Sequence, residues 1–251
     1  MIARDARRSC SPFEAVLFDL DDTLHDDTYA FESATAEVAA EVAQECGVDA
    51  RRLSAAYIAQ AEAFWGRLNA EGLSRALGSV RRGLWATALR DVGLDDPALA
   101  ATVADRYNRY RRKYFAPFPG ALALLESLRA QGCRLGIITN GFSETHREKI
   151  ALLQIGDYVD KIFIADEVGM LKPDPNLFLH ACGALGAAPE RSAMVGDRYD
   201  RDVSGARIAG LYTIWLNIRR EPLPAGSPPP DAACTDIQEV GRLLEAASIA
   251  T

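Results

Sequence analysis

Hydrophobic and polar positions follow two different rhythms along this chain. Ala15–Leu20 (AVLFDL) is a short apolar run with aromatic and β-branched content, the pattern of a strand buried on both faces. It stops in an acidic cluster, Asp19, Asp21 and Asp22. From about Thr28 to Tyr114 the spacing becomes helical. Phe31, Ala34, Val38, Val42 and Cys46 form a first stripe that Gly47 ends, and Asp49 can cap a second through Leu53, Tyr57, Ala61, Phe64 and Leu68. Leu77, Val80, Leu84, Ala88 and Val92 make a third, closed by Gly93. Asp96-Pro97, an N-cap followed by proline at the first helical position, opens a fourth through Leu99, Val103, Tyr107, Tyr110 and Tyr114. Four helices with no strand between them predict a small bundle.

Beyond Pro117-Phe118-Pro119-Gly120 strands and helices alternate. Helices are predicted near Pro119–Ala130, Ser143–Leu153, Pro175–Leu185 and Asp202–Ala209. Strands are predicted at Arg134–Thr139, Lys161–Ala165, Ser192–Gly196 and Leu211–Leu216. This is the signature of βαβ units. The expected fold is α/β: a doubly wound, Rossmann-like parallel sheet with a helical bundle inserted after its first strand. The expected divisions are a loose tail over 1–12, a core over 13–27 and 115–251, and a helical insertion over 28–114. Pro222–Pro230 reads as a connector, and Thr235-x-x-Gln238 as a capping box opening a last helix.

Composition narrows the function classes. A hydrophobic fraction of 49% and a charged fraction of 25% over 251 residues exclude a disordered or collagen-like chain. The net charge of −7 is not the footprint of a nucleic-acid-polymer binder. Five widely spaced cysteines without a C-x-x-C pair suggest reduced, mostly buried thiols. With no export or membrane-spanning pattern, a cytoplasmic protein, monomer or homodimer, is expected.

In a doubly wound sheet, ligands bind beyond the carboxyl ends of the strands. Those ends carry Asp19-Leu20-Asp21-Asp22-Thr23, Thr139-Asn140-Gly141 and Gly196-Asp197, with Asp200 and Asp202 beyond. Lys172 stands in the turn Leu171-Lys172-Pro173-Asp174-Pro175. Several carboxylates and one lysine at a single sheet edge are costly unless a cation sits among them, and hard oxygen ligands favour Mg²⁺. The set reads as a phosphoryl-transfer site with a carboxylate nucleophile.

In order and context these four motifs resemble the haloacid dehalogenase superfamily of phosphohydrolases, over Ala15 to about Leu216, with the helical block where that family carries a cap. The resemblance implies that Asp19 is the nucleophile and a Mg²⁺ ligand. It implies that Asp21 is the acid and base, with its backbone carbonyl on the metal. Thr139 and the backbone amide of Asn140 would hold phosphoryl oxygens, and Lys172 would offset the charge of Asp19 and phosphate. Asp197 would bind Mg²⁺ directly, and Asp202 would act one step behind it or through water. Dehalogenases of the superfamily lack an acid at the position of Asp21, since a halide leaves without a proton. A phosphatase acting on small phosphomonoesters is therefore expected. Thr139-Asn140-Gly141-Phe142 and Asp166-Glu167-Val168-Gly169 are similar to the nucleotidase and acylneuraminate-phosphate phosphatase branches. A phosphomutase or dehalogenase of the same architecture, or a non-catalytic phospho-ligand-binding module, are the alternatives.

Plainer readings apply elsewhere. His25, His146 and His180 show no ligand spacing, although His25 lies close enough to the acidic loop to meet a substrate. Arg51-Arg52, Arg81-Arg82 and Arg111-Arg112-Lys113 read as solvated helix faces, one of which could meet a substrate anion. Phe64, Trp65, Trp85, Tyr107 and Tyr110 read as bundle core.

Overall fold

The structure is a computed structural model that describes residues 12–73 and 75–247. The tail expected over 1–12 lies almost wholly outside the described residues. The chain forms two compact units and crosses between them four times. One unit comprises Met1–His25, Pro117–Gly141 and Leu153–Thr251; the other comprises Asp26–Ala116 and Phe142–Leu152.

The first unit is built on a parallel sheet of six strands. These are β1 (Ala15–Phe18), β2 (Arg134–Thr139), β3 (Lys161–Ile164), β4 (Ser192–Gly196), β5 (Tyr212–Leu216) and β6 (Ala232–Cys234). Their order is β3-β2-β1-β4-β5-β6, so the winding direction reverses between β1 and β4, the place where ligands gather in such sheets. Strand β1 is buried along its whole length because it is central and covered on both faces. Leu17 pairs with Gly136 on one side and Met194 on the other. Against one face pack α9 (Pro175–Leu185) and α10 (Ser204–Ile208), through Leu177, Phe178, Ala181 and Ala206. Helix α6 (Ala121–Ala130) packs on β2 and on α11 (Val240–Ala247).

Two sequence expectations for this unit are corrected. Strand β6 was not anticipated, because three residues of Ala-Ala-Cys carry no strand signal of their own. It exists by pairing with β5, Ile214 opposite Ala232. The last helix is capped not by Thr235 but by Asp236, whose carboxylate accepts the Gln238 amide at 2.9 Å, and a 3₁₀ turn over Ile237–Glu239 precedes α11.

The second unit is a helical bundle of α1 (Asp27–Cys46), α2 (Ala50–Gly66), a short α3 (Ala70–Leu73), α4 (Leu77–Asp91) and α5 (Pro97–Lys113), joined by α7 (Ser143–Leu152). The remaining helix, α8 (Ala165–Val168), follows β3 in the sheet unit. Asp49 and Asp96 cap α2 and α5 with their side chains, and Gly47 ends α1 at φ 72°, a left-handed conformation that glycine adopts without strain. The core is aromatic: Tyr57 stacks on Trp85 at 3.8 Å between ring centroids, and Tyr107 meets Tyr57 edge-on at 5.2 Å. On α4 the buried residues are Leu77, Val80, Arg81, Trp85, Ala88 and Leu89, and Leu84 and Val92 of the expected stripe pack against the same core half-buried. Arg81 and Arg111, expected on solvated helix faces, are both buried, whereas Arg51, Arg52, Arg82, Arg112 and Lys113 are exposed as expected.

Leu17 is fully buried at the centre of the sheet, so its truncation removes contacts that the neighbouring strands cannot close over. Leu17→Ala is expected to cost about 2–5 kcal/mol of stability, read as a lower urea midpoint with an unchanged slope.

Candidate active site

The carboxyl ends of β1, β2 and β4 and the turn after α8 bring Asp19, Asp197, Asp202 and Lys172 together within the sheet unit. Asp19 is the first residue past β1, and its amide still donates to Val195 of β4 at 2.9 Å. It is buried, and its carboxylate receives the Lys172 ammonium at 2.5 Å. The same ammonium lies 2.6 Å from Asp202. Lys172 is held from behind by Asn140, whose side chain donates to the Lys172 carbonyl and accepts from the Lys172 amide, both at 2.8 Å. The Lys172–Pro173 peptide is cis. Thr139, buried at the end of β2, is paired in register with Ile164 of β3.

Asp197 follows β4 and is held by its backbone. Its amide donates to the Thr23 hydroxyl at 3.1 Å, and its carbonyl accepts the indole N–H of Trp215 at 2.8 Å. Asp202 is buried in a π-turn over Tyr199–Val203 that leads into α10, where a plain helix was expected. Its second oxygen accepts the Arg198 amide at 2.9 Å. Gly196 permits this: a Cβ there would lie 2.4 Å from the Asp202 carboxyl carbon. Gly205 does the same for the lysine turn, since its Cβ would lie 2.4 Å from the Pro173 carbonyl oxygen. Asp200 turns away, paired with the Arg198 guanidinium at 3.1 Å on the exposed side.

Asp21 stands apart from this group. Its side chain is 30% exposed and 3.1 Å from Nε2 of His25, which is itself wholly buried. Asp22 takes a left-handed backbone (φ 58°), an uncommon conformation that aspartate tolerates better than most residues. Its amide donates to the His25 carbonyl at 2.8 Å, and its carboxylate meets Arg219 at 2.8 Å. The loop from Asp19 to His25 is therefore fixed at both its backbone and its side chains.

The sequence reading gave no role to Thr23 or Trp215 and a minor one to His25. His25 had a signal, the four-residue spacing to Asp21. Trp215 had none, because only the β4–β5 register, Gly196 opposite Trp215, brings it to Asp197.

Burial raises the Asp19 carboxyl to about 7, against the opposing pull of Lys172 and with the help of Asp202 and Asp21. Asp197 is raised well above the usual carboxylate range by burial, then by Asp19 and Asp202. Burial alone would lower Lys172, but Asp19 and Asp202 outweigh it and leave the ammonium more basic than usual. One oxygen each from Asp19, Asp197 and Asp202 lies within 4.8 Å of the others. Three hard oxygen donors with a single ammonium among them fit a divalent cation such as Mg²⁺.

A carboxyl raised in the folded state keeps its proton where the unfolded chain has lost it. Asp19 therefore withdraws stability as pH rises from about 4 to about 7. With chelator present, the urea midpoint of the wild type is expected to fall across this window, and Asp19→Asn to fall less. Equal slopes for the two proteins would contradict the assignment.

Known proteins resemble this chain in sequence and in fold. Residues 13–210 match the family model for haloacid dehalogenase-like hydrolases. The chain is 37% identical over 183 residues to a phosphoserine phosphatase of Thermus thermophilus, covering 71% of this chain and 72% of that protein. It is 31% identical over 204 residues to a glyceraldehyde 3-phosphate phosphatase of Methanopyrus kandleri, covering 81% and 83%. It is 30% identical over 246 residues to the N-acylneuraminate-9-phosphatase of Mus musculus, covering 94% and 95%. Among solved structures, a 2-haloacid dehalogenase from Pseudomonas syringae superimposes with a TM-score of 0.65 at 27% identity, covering 94% of this chain and 99% of that one. The putative HAD-hydrolase YfnB from Bacillus subtilis shares the fold at a TM-score of 0.74 and 23% identity, over 92% and 98%. This chain belongs to the haloacid dehalogenase-like hydrolases.

Proposed function

We propose that this enzyme is a Mg²⁺-dependent, cytoplasmic phosphatase of small phosphomonoesters, of the nucleotide or sugar-phosphate class, working through an aspartyl-phosphate. The observation that carries the reading is the pairing of a buried Asp19 with Lys172 at 2.5 Å, two residues from an accessible carboxylate. Three of the proteins named above are, by name, phosphatases: of phosphoserine, of glyceraldehyde 3-phosphate and of N-acylneuraminate 9-phosphate. The reading calls for a small-molecule substrate and no nucleic-acid or membrane partner, and among the described residues no helix is long and apolar enough to cross a membrane.

In the first step an oxygen of Asp19 attacks phosphorus, the bond from phosphorus to the ester oxygen breaks, and Asp21 gives its proton to the departing alkoxide. In the second, Asp21 takes a proton from water, the water oxygen attacks phosphorus, and Asp19 leaves as carboxylate with release of inorganic phosphate. His25 holds Asp21 in place at 3.1 Å. The Thr139 hydroxyl and the Asn140 amide hold phosphoryl oxygens. Lys172 keeps Asp19 ionised at the moment of attack and offsets charge on the phosphoryl group. Asp19, the Asp21 carbonyl and Asp197 would hold Mg²⁺, with Asp202 behind them fixing Lys172. The ion would neutralise the oxygens of the group being transferred.

The likeness to a 2-haloacid dehalogenase makes carbon–halogen cleavage the rival reading. Asp21 weighs against it, because halide needs no proton donor.

A panel of phosphomonoesters tests the proposal by phosphate release with Mg²⁺ and with chelator. Asp19→Asn is expected to abolish turnover. Asp21→Asn is expected to lower kcat by about 10²–10⁴ on alkyl esters and less on p-nitrophenyl phosphate, whose leaving group needs little protonation. Folded protein that releases no phosphate from any ester, or halide instead, would overturn it.

A further inference from the structure

Three carboxylates face the place proposed for the cation, and they are not held in the same way. Asp19 and Asp202 are each fixed at an oxygen by the Lys172 ammonium, at 2.5 and 2.6 Å. Asp197 has no such anchor. Among the described residues no hydrogen bond or ion pair reaches its carboxylate, and both of its hydrogen bonds are made by its backbone. One joins its amide to the hydroxyl of the fully buried Thr23 at 3.1 Å. The other joins its carbonyl to the indole N–H of Trp215 at 2.8 Å.

The donor of that second bond is itself fixed. Trp215 lies in β5 between Gly196 of β4 and Ala233 of β6, and is 4% exposed. Tyr199 meets its ring edge-on at 5.5 Å between centroids, and Val203 completes the cluster. Tyr199 is tied in turn through its hydroxyl to the Pro228 carbonyl.

One oxygen each from Asp19, Asp197 and Asp202 falls within 4.8 Å of the others. Like charges at that distance repel, and the side chain without an anchor is the one free to swing away. Fixing its peptide on both sides confines that swing to the side-chain torsions, so that the ordering is done on folding and not on binding. The size of the ion then matters. Mg²⁺ demands short bonds in near-ideal octahedral geometry, whereas Ca²⁺ accepts longer bonds and looser arrangements. A rigidly placed ligand therefore favours the smaller ion.

We propose that Trp215 is a positioning residue for the cation site: its indole N–H fixes the Asp197 peptide, and so holds the Asp197 carboxylate in the tight geometry that selects Mg²⁺ over a larger divalent ion. The inference rests on the Mg²⁺ binding of the proposed function, but not on the reaction that the ion serves.

The test uses the full chain, freed of metal by chelator and dialysis, with calorimetric titrations of Mg²⁺ and of Ca²⁺. Trp215→Phe keeps an aromatic ring in the cluster and removes the donor. It is expected to bind Mg²⁺ about tenfold or more weakly, with a smaller loss for Ca²⁺, so that the preference for Mg²⁺ falls. In turnover the same change appears as a higher Mg²⁺ requirement with kcat recovered at saturation. Tyr199→Phe loosens the same cluster while leaving the indole bond in place, and is expected to bind both ions as wild type does. Should Trp215→Phe fail to fold, the wild type alone answers. The NMR signal of the Trp215 indole N–H is expected to be protected from hydrogen exchange before metal is added and to shift on titration with Mg²⁺.

The proposal is overturned if Trp215→Phe merely melts earlier with its affinities for both ions unchanged, or loses both by the same factor. Equal loss of selectivity in Tyr199→Phe, or an indole signal indifferent to saturating Mg²⁺, would overturn it too. Any of these results leaves the phosphatase reading intact if phosphate is still released with Mg²⁺. Protein that shows the expected selectivity change but hydrolyses no ester keeps the role of Trp215 and removes the phosphatase reading instead.

Discussion

Everything at the edge of the sheet depends on one ammonium group shared by two buried carboxylates. Lys172 sits 2.5 Å from Asp19 and 2.6 Å from Asp202, and none of the three has bulk water to fall back on. Removing one partner from such a group leaves the other charges stranded, which costs several times more than losing an exposed pair. The backbone around them is shaped to permit the contact. Gly196 and Gly205 give up side chains so that Asp202 and the Pro173 turn can close in, and Asn140 clamps Lys172 from both sides of its peptide unit. With Asp197 counted, three carboxylates face one lysine, and the imbalance of charge suits a divalent cation.

Both units bury charged side chains, and they accommodate them by different means. In the sheet unit, Asp19, Asp197 and Asp202 are gathered beyond the carboxyl ends of the central strands, around the Lys172 ammonium. In the helical unit, two buried arginines stand one helical turn from large aromatic rings, Arg81 before Trp85 and Arg111 after Tyr107. Aromatic faces tolerate a cation better than aliphatic ones do. That tolerance lets two arginines remain in a bundle core that would otherwise reject them.

Much of this was legible in the residue order, and the exceptions have physical causes. Central parallel strands announce themselves because burial on both faces demands unbroken apolar runs, as in AVLF and RLGIIT. Asp19 and Asp197 could be listed because each follows such a run, and Lys172 because it stands in a turn rich in proline. Strand β6 could not, since its pairing with β5 and not its composition makes it a strand. Trp215 was invisible for the same reason: its partner lies on a neighbouring strand, and register is a property of the assembled sheet. Arg81 was misread because a charged residue on an apolar stripe is normally a sign of the solvent face. His25 shows a milder case: its place beside the acidic loop was legible, but its full burial and its contact with Asp21 were not.

The spread of the site along the chain has a consequence for how the molecule comes into being. Asp19 and Lys172 are 153 positions apart, and their contact joins segments separated by the entire helical unit and two further strands. Contacts of such long range form late, after the entropy of closing the intervening loop has been met. The bundle, by contrast, is made mostly from neighbouring helices, and can be complete while the acidic cluster is still apart. A route on which the helices form first would hold the reactive carboxylates solvated, dispersed and inert until the sheet closes around them.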